Sequence, residues 1–181
     1  QFQQYLPEDL NKIGYWNATG SGKTLLMHVN ILQYLDYFHH QNGDSTYPDQ
    51  IILLTPNEGL SEQHLQELTD SGFQATLFDK QKSRNSLYRD EIQIIAVTKL
   101  KDKDGDSTVS VSSLEGNNLV LVDEGHRGTS SKDGDWITYR DVLTKDGFSF
   151  EYSATFGQAV SKADNVYKRF EDKKKQKAKM L

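Results

Sequence analysis

The stretch "GYWNATGSGKTLLMHV", residues 14–29, joins an aromatic-rich run to an apolar one through small residues, a lysine and a threonine. In an α/β sheet, a strand that ends in such a turn and opens a helix forms an anion site. The turn's backbone N–H groups and the helix N-terminus both face the anion. Gly20 and Gly22 let the backbone approach phosphate oxygens without a Cβ in the way. The stretch therefore predicts a site for a nucleoside triphosphate.

The phosphate site is assigned to six consecutive residues: Thr19, Gly20, Ser21, Gly22, Lys23 and Thr24. Lys23 supplies a positive charge for the β- and γ-phosphates, and the Thr24 hydroxyl can ligate Mg²⁺. The strict pattern G-x-x-x-x-G-K-[ST] requires glycine at position 17, where this chain has Asn17. Taken alone, the stretch is also compatible with a glycine-rich turn that ends in a capping threonine.

Apolar runs typical of strands alternate with helical patterns along most of the chain. Strands are expected at 12–16, 50–56, 75–78, 91–100, 118–124 and 148–155. Helices are expected at 23–40, 60–72 and 136–143, and loops at 41–49, 101–117 and 128–135. Continuous apolar strands that alternate with helices indicate a mostly parallel sheet with helices on both faces. The expected fold class is therefore α/β.

Composition limits the classes of protein that remain. The 181 residues suffice for one well-buried domain, and the absence of cysteine excludes disulfides and thiolate metal sites. No apolar run approaches the ~20 residues needed to span a bilayer, so no membrane partner is expected and a cytoplasmic location is the default. The expected division is one domain at 1–160 followed by a basic segment at 161–181.

The net charge of -5 conceals an uneven distribution. Residues 162–181 carry eight Lys/Arg and three Asp/Glu, which leaves 13 basic and 23 acidic residues in the rest of the chain. This composition argues against a domain that grips nucleic acid by bulk electrostatics, so any such contact must use a few local groups or a partner domain. The lysine-rich run at 173–179 is interpreted as a solvated helix or a junction, with contact to DNA phosphates as the alternative.

A second set of polar residues lies in "LVLVDEGHRG", residues 119–128. Here an apolar strand ends in two adjacent carboxylates, at the sheet edge where ligands of open α/β folds bind. Asp123 is placed to hold Mg²⁺, and Glu124 to orient or deprotonate an attacking water. His126 is suited to hydrogen bonding rather than to metal ligation. A solvated strand end is the plainer reading of the acidic pair taken alone.

A third set lies in "FEYSATFG", residues 150–157, where Ser153 and Thr155 follow an aromatic-rich strand. Two hydroxyls at a strand end can bond a neighbouring carboxylate or histidine and so report the state of the nucleotide. By itself the tripeptide "SAT", residues 153–155, is typical of the polar end of a strand.

Together these residues resemble the first motor domain of superfamily 2 helicases and translocases. "ATGSGKT" stands as motif I, "DEGH" as motif II of the DEAD/DEAH-box type, and "SAT" as motif III. "TPNEGLSEQ" (55–63) looks like motif Ia, and "IIAVTKL" (94–100) looks like the motif whose threonine touches the nucleic-acid backbone. "DEGHR" followed by "YSATFG" looks closest to the helicase (Res) subunit of type III restriction enzymes, and less like DEAD-box RNA helicases.

The resemblance implies a RecA-like P-loop domain that binds ATP and Mg²⁺ and couples hydrolysis to movement along nucleic acid, and duplex DNA is the expected substrate. In this reading Lys23, Glu124 and His126 are catalytic, Thr24 and Asp123 hold the metal, and Ser153 and Thr155 couple hydrolysis to motion. The residues that would face the nucleic-acid backbone are Pro56, Asn57, Gly59 and Thr98.

The resemblance also implies partners. In such motors ATP sits between two RecA-like domains, so this chain is expected to be the first half of the ATPase and poorly active alone. A restriction or phage-defence enzyme would add nuclease and methyltransferase subunits. Two rivals remain open: a P-loop phosphotransferase acting on a small molecule, and a non-catalytic interaction module that uses nucleotide as a switch.

Overall fold

The structure is a computed structural model that describes residues 10–43, 46–79, 89–101, 103, 105, 108–124 and 134–155, with the backbone alone at 134–137. The strands are β1 (Lys12–Trp16), β2 (Ile51–Thr55), β3 (Ala75–Leu77), β4 (Ile92–Ala96), β5 (Leu100–Lys101), β6 (Val109–Ser110), β7 (Leu119–Asp123) and β8 (Phe148–Ser153). The helices are α1 (Lys23–Asn42), α2 (Glu58–Asp70) and α3 (Gly134–Leu143). None of these helices is long and apolar enough to cross a membrane.

Six strands form one sheet in the order β1-β8-β7-β2-β4-β3, and every neighbouring pair in it is parallel. The carboxyl ends of the strands therefore meet at one edge of the sheet. Strands β1 and β7, which precede the glycine-rich turn and carry Asp123, are separated only by β8. The predicted α/β fold with a parallel sheet is confirmed.

The sheet has a buried core on each face because side chains alternate along its strands. The face covered by α1 and α2 is formed by Met27, Ile31, Ile51, Leu53, Leu68, Ile92, Ile94, Leu119, Leu121, Phe150 and Tyr152. The opposite face, covered by α3, is formed by Ile52, Leu54, Ile95, Leu100, Val109, Val111, Leu114, Val120, Val122, Tyr139 and Leu143. Asp123 follows the odd-numbered residues of β7, so the alternation directs it toward α1 and α2.

Helix α2 begins at Glu58, two residues earlier than the sequence predicts. The Asn57 side chain accepts a hydrogen bond of 3.0 Å from the Leu60 N–H and thus satisfies one of the free donors of the first turn. Glu58 adds a negative charge where the helix dipole favours one. The cap fixes the start of α2 directly after β2.

The predictions for residues 91–117 are wrong in part. The expected strand at 91–100 ends at Ala96, and a 3₁₀ helix at Val97–Lys99 carries the chain out of the sheet before β5 pairs with β6. The expected loop at 101–117 contains β6 and a second 3₁₀ helix, Val111–Leu114. Leu100 and Leu114 are buried on the α3 face, and their burial fixes β5 and the second 3₁₀ helix against the core.

Part of the sequence interpretation lies outside the described residues. The basic run at 173–179, the boundary expected near residue 160 and most of the loop expected at 128–135 fall there. His126 also lies outside the described residues.

Candidate nucleotide-binding site

The glycine-rich turn leaves β1 at the carboxyl edge of the sheet. The Asn17 N–H donates a 3.0 Å hydrogen bond to the Ser153 carbonyl, and the Ser21 N–H donates one of 3.1 Å to Ala18. Gly20 and Gly22 have φ angles of 75° and 84°, in the left-handed region that side chains disfavour. A Cβ at either position would meet no described atom within 4 Å, so the backbone conformation, not crowding, requires glycine.

Lys23, the first residue of α1, joins the two parts of the site. Its Nζ lies 2.8 Å from Asp123 Oδ1 and 2.9 Å from Glu124 Oε1. Thr24 is the next residue of the helix and is half-buried, whereas the side chains of Thr19 and Ser21 are exposed. The structure thus brings together the lysine and both carboxylates that the sequence assigned to one nucleotide.

A left-handed residue at the end of β7 lets adjacent carboxylates share one partner. Successive side chains of a strand point to opposite faces, so Glu124 would continue toward α3 if the strand went on. Instead Glu124 has a φ of 55°, and its backbone N–H donates a 3.0 Å hydrogen bond to Asp123 Oδ1. This turn allows the side chains of Asp123 and Glu124 to reach the same lysine.

Burial and hydrogen bonding together set the charge states of the site. Only 5% of the Asp123 side chain is exposed, and burial alone would raise the pKa of its carboxyl. Hydrogen bonds from His64 and Lys23, together with favourable electrostatic interactions with both residues, outweigh burial and lower the pKa of Asp123 to about 2. Burial alone would lower the pKa of Lys23, yet its contacts with Asp123 and Glu124 raise it. The site therefore holds a carboxylate and an ammonium group at neutral pH.

His64 belongs to the site although its sequence context does not predict it. It lies on α2, is buried, and its Nε2 is 3.1 Å from Asp123 Oδ2. The signal available in the sequence was its helical spacing, since Ser61 and Leu68 lie three and four residues away and are buried on the same face. That spacing predicts an inward-facing position but not the carboxylate opposite it.

The predicted coupling residues are placed beside the glycine-rich turn. Ser153 is buried, its Oγ accepts a 3.0 Å hydrogen bond from the Thr155 N–H, and its carbonyl accepts from Asn17. Alternation along β8 directs the Ser153 side chain toward α3, away from the face that carries Asp123. The described residues show two links from the end of β8 to the start of the glycine-rich turn: the Asn17 N–H bond to Ser153, and a 3.1 Å hydrogen bond from Trp16 Nε1 to the Ala154 carbonyl.

The residues predicted to face nucleic acid lie at the carboxyl ends of β2 and β4. We refer to residues 56–59 and 97–99 as the rim. Asn57, Gly59 and Thr98 are exposed, but Pro56 is buried, which leaves little of its surface for a ligand. Lys99 Nζ lies 2.8 Å from Glu58 Oε1, so an ion pair joins the two parts of the rim.

The donor set fits a magnesium ion that also binds phosphate. Among the described residues, no group of three or more histidine, cysteine or acidic side chains is arranged to hold a metal unaided. Mg²⁺ usually takes one or two protein oxygens and completes its shell with water and substrate phosphates. The ionised Asp123 carboxylate and the Thr24 hydroxyl meet that need beside the glycine-rich turn.

Comparison with known proteins agrees with this geometry. A family model described as the res subunit of type III restriction enzymes matches residues 1–158. No curated protein gives a significant match. The matched range includes the glycine-rich turn, the rim, the acidic pair and Ser153–Thr155. The chain therefore belongs to the family of type III restriction enzyme res subunits and is a RecA-like motor domain of the helicase superfamily.

Proposed function

We propose that the chain is the first half of an ATP-dependent motor that moves along nucleic acid, with duplex DNA as its track, within a restriction or phage-defence enzyme. The observation that carries the proposal is the contact of Lys23 Nζ with both Asp123 and Glu124, at 2.8 Å and 2.9 Å. In a P-loop ATPase, the phosphate-binding lysine, the metal-holding carboxylate and the water-activating carboxylate must meet at one point.

Each residue of the glycine-rich turn has a role in nucleotide binding. The backbone N–H groups of 19–24 cradle the phosphates, that of Ser21 after release of its bond to the Ala18 carbonyl, and Lys23 supplies charge to the β- and γ-phosphates. Thr24 and Asp123 hold Mg²⁺, which when bound neutralises charge that develops on the phosphate oxygens. For Lys23 to reach a phosphate, its Nζ must leave at least one of the two carboxylates, and the exposed fraction of 22% gives it access to solvent.

Glu124 orients and deprotonates the attacking water. It is more exposed than Asp123, at 27% against 5%, so it can contact water while Asp123 stays fixed. His126, Ser153 and Thr155 carry the state of the site to the rest of the motor. The hydrogen bond between Asn17 and Ser153 supports this route, because a shift of the glycine-rich turn would pull on the end of β8.

The rim is the surface proposed for the nucleic-acid backbone. Exposed backbone amides near Asn57 and Gly59 and the Thr98 hydroxyl are neutral donors, and such donors position a phosphate backbone without reading sequence. A second RecA-like domain, with nuclease and methyltransferase partners, would complete the enzyme.

Substitution of Lys23 tests the nucleotide site. We expect Lys23→Ala to reduce the affinity for a fluorescent ATP analogue by at least about 100-fold, because the phosphates lose their main positive charge. Thermal melting should show a folded domain. Lys145→Ala, which removes an exposed lysine that pairs with Glu115 outside the site and the rim, is the matched control and should leave nucleotide affinity unchanged. Equal affinity of Lys23→Ala and wild type would exclude the site.

Activity of the isolated chain tests the half-motor assignment. The 181-residue chain should bind Mg-ATP weakly and release phosphate slowly, with or without duplex DNA. Fast DNA-stimulated phosphate release by this chain alone would contradict the need for a second domain. Transfer of phosphate to a small-molecule acceptor would instead identify a phosphotransferase.

A further inference from the structure

His64 is the only described residue of α2 that the structure shows bonded to the acidic pair. Its ring lies in the second turn of the helix, is 4% exposed, and its Nε2 is 3.1 Å from Asp123 Oδ2. The other oxygen, Oδ1, receives Lys23 and the Glu124 N–H. His64 and Lys23 therefore hold different oxygens of the same carboxylate.

The proton on this hydrogen bond belongs to the histidine. An ionised carboxylate only accepts, so Nε2 of His64 must donate to Asp123. The opposite ring nitrogen, Nδ1, lies 3.6 Å from Glu67 Oε2, and Gln63 donates a 2.8 Å hydrogen bond to Glu67 Oε1. At 3.6 Å the contact between His64 and Glu67 is too long for a hydrogen bond, and neither Nδ1 nor Glu67 Oε2 has a hydrogen-bond partner among the described residues, so the bond from Nε2 to Asp123 orients the ring.

The same helix reaches the rim. Its N-cap, Asn57, belongs to the rim, and Glu58 pairs there with Lys99. One turn later Ser61 Oγ lies 2.6 Å from Thr55 Oγ1 at the end of β2. Ser61 and His64 share the buried face of the helix, so a movement of its first turns would move the donor to Asp123.

We propose that His64 is a positioning residue that fixes Asp123 for magnesium and mechanically connects the rim to the magnesium site through α2. This inference rests on the proposed function and adds to it a route by which nucleic acid at the rim changes nucleotide binding. The coupling is a free-energy link between two sites through one rigid element.

The first experiment measures the magnesium dependence of nucleotide binding in the 181-residue chain. A fluorescent ATP analogue is titrated with MgCl₂ present and with EDTA. His64→Leu, which fills the volume but cannot donate, should weaken apparent magnesium affinity about tenfold or more, as loss of a partner to a metal ligand does. In EDTA, the affinity for the analogue should be the same in His64→Leu as in wild type. His64→Gln, whose amide can reach Asp123 as Nε2 does, should restore most of the magnesium effect.

The matched control is Gln66→Ala on the exposed face of the same helix, where Gln66 bonds only Asp70 among the described residues. It should behave as wild type in both titrations. A His64→Leu chain that melts at a lower temperature yet keeps the wild-type magnesium effect would show a merely structural histidine and overturn the proposal. If His64→Leu does not fold, His64→Gln decides. A His64→Gln chain whose nucleotide affinity is the same in MgCl₂ as in EDTA would also overturn the proposal.

The second experiment measures coupling. Nucleotide affinity is measured with and without a saturating 20-base-pair duplex, and the coupling ratio is the first affinity divided by the second. This ratio should differ from one in wild type and in Gln66→Ala. It should approach one in His64→Leu. Duplex affinity without nucleotide should stay unchanged. A coupling ratio in His64→Leu equal to that of wild type, or a ratio of one in wild type, would overturn the connection. Failure of wild type to bind any nucleotide would instead refute the proposed function itself.

Discussion

Two buried carboxylates on neighbouring strands have opposite electrostatic behaviour. Asp123 ends β7 and Glu151 lies in β8, one register position away, since Val122 pairs with Glu151 and Asp123 with Tyr152. Burial raises the pKa of Glu151 despite its 3.0 Å contact with Arg140. The pKa of Asp123 is lowered to about 2, although burial acts on it in the same direction.

The difference lies in the number of donors around each carboxylate. Asp123 has His64, Lys23 and the Glu124 N–H. Glu151 has Arg140 as the partner that the structure shows, inside the face covered by α3. A buried carboxylate held ionised by several donors at a sheet edge is suited to bind a cation, whereas a single internal pair has a structural role. Depth of burial alone does not distinguish the two.

Glu124→Gln should have the largest effect. In the full-length motor it should reduce phosphate release by about 100-fold or more, because the amide cannot take a proton from water. Nucleotide affinity should remain, since the contact with Lys23 is not needed once phosphate is bound. Steady-state phosphate release and analogue binding provide the two readouts. Glu151→Gln is the control. A comparable loss of turnover per folded molecule in Glu151→Gln would contradict the structural role assigned to Glu151.

Arg140→Met should have the next largest effect, on stability. It leaves a buried carboxylate without its partner and should lower the free energy of unfolding by about 3 kcal/mol. The double variant Arg140→Met with Glu151→Leu should recover most of this loss, because an apolar pair replaces the ions. Urea unfolding measures both. A large loss of analogue affinity in the folded double variant would mean that the pair takes part in nucleotide binding.

The depressed pKa of Asp123 should make about 2 kcal/mol of the free energy of unfolding depend on pH, and Glu151 should show the opposite direction of pH dependence. The folded pKa of Asp123 is depressed from 3.8 to about 2, so its contribution is complete above pH 3.8 and is lost as the pH falls toward 2. The folded pKa of Glu151 is raised above 4.5, so its contribution is present below that pH and is lost as the pH rises through the folded value. Urea unfolding of Asp123→Asn should lack the acid-side loss, and a loss equal to that of wild type would contradict the assignment.

Lys99→Ala should have the smallest effect on folding. Its partner Glu58 is 63% exposed, and exposed ion pairs contribute at most about 1 kcal/mol. If the rim faces nucleic acid, the variant should also reduce the slope of log affinity against log salt by about 1, measured with a labelled duplex. Lys145→Ala, whose lysine pairs with Glu115 elsewhere, is the control and should leave that slope unchanged.

The sequence predicted the elements of the sheet where local signals are strong. Strand β1 agrees at both ends, and β2, β7 and β8 differ only by terminal residues, because each is a short apolar run bounded by turns. The convergence of Lys23 with Asp123 followed from the parallel order, since the carboxyl ends of parallel strands share an edge.

The sequence could not predict the features that depend on distant neighbours. The segment 101–117 is polar, and its few apolar residues form no local pattern. They are structured because Val109 and Leu114 pack against the sheet face under α3. His64 is 59 residues from Asp123 in the sequence, and no local pattern in α2 predicts a contact with that carboxylate. The left-handed backbone at Glu124 was also unexpected, because the residue type disfavours that conformation.

That backbone conformation has a consequence for engineering. Glutamate at a φ of 55° stores about 1 kcal/mol of strain, which glycine would release and asparagine would partly release. A search for heat-resistant variants would therefore favour replacements at position 124, and each would remove the carboxylate that we propose activates water. Stability and turnover compete at this residue, so thermostabilisation of the motor should leave it untouched.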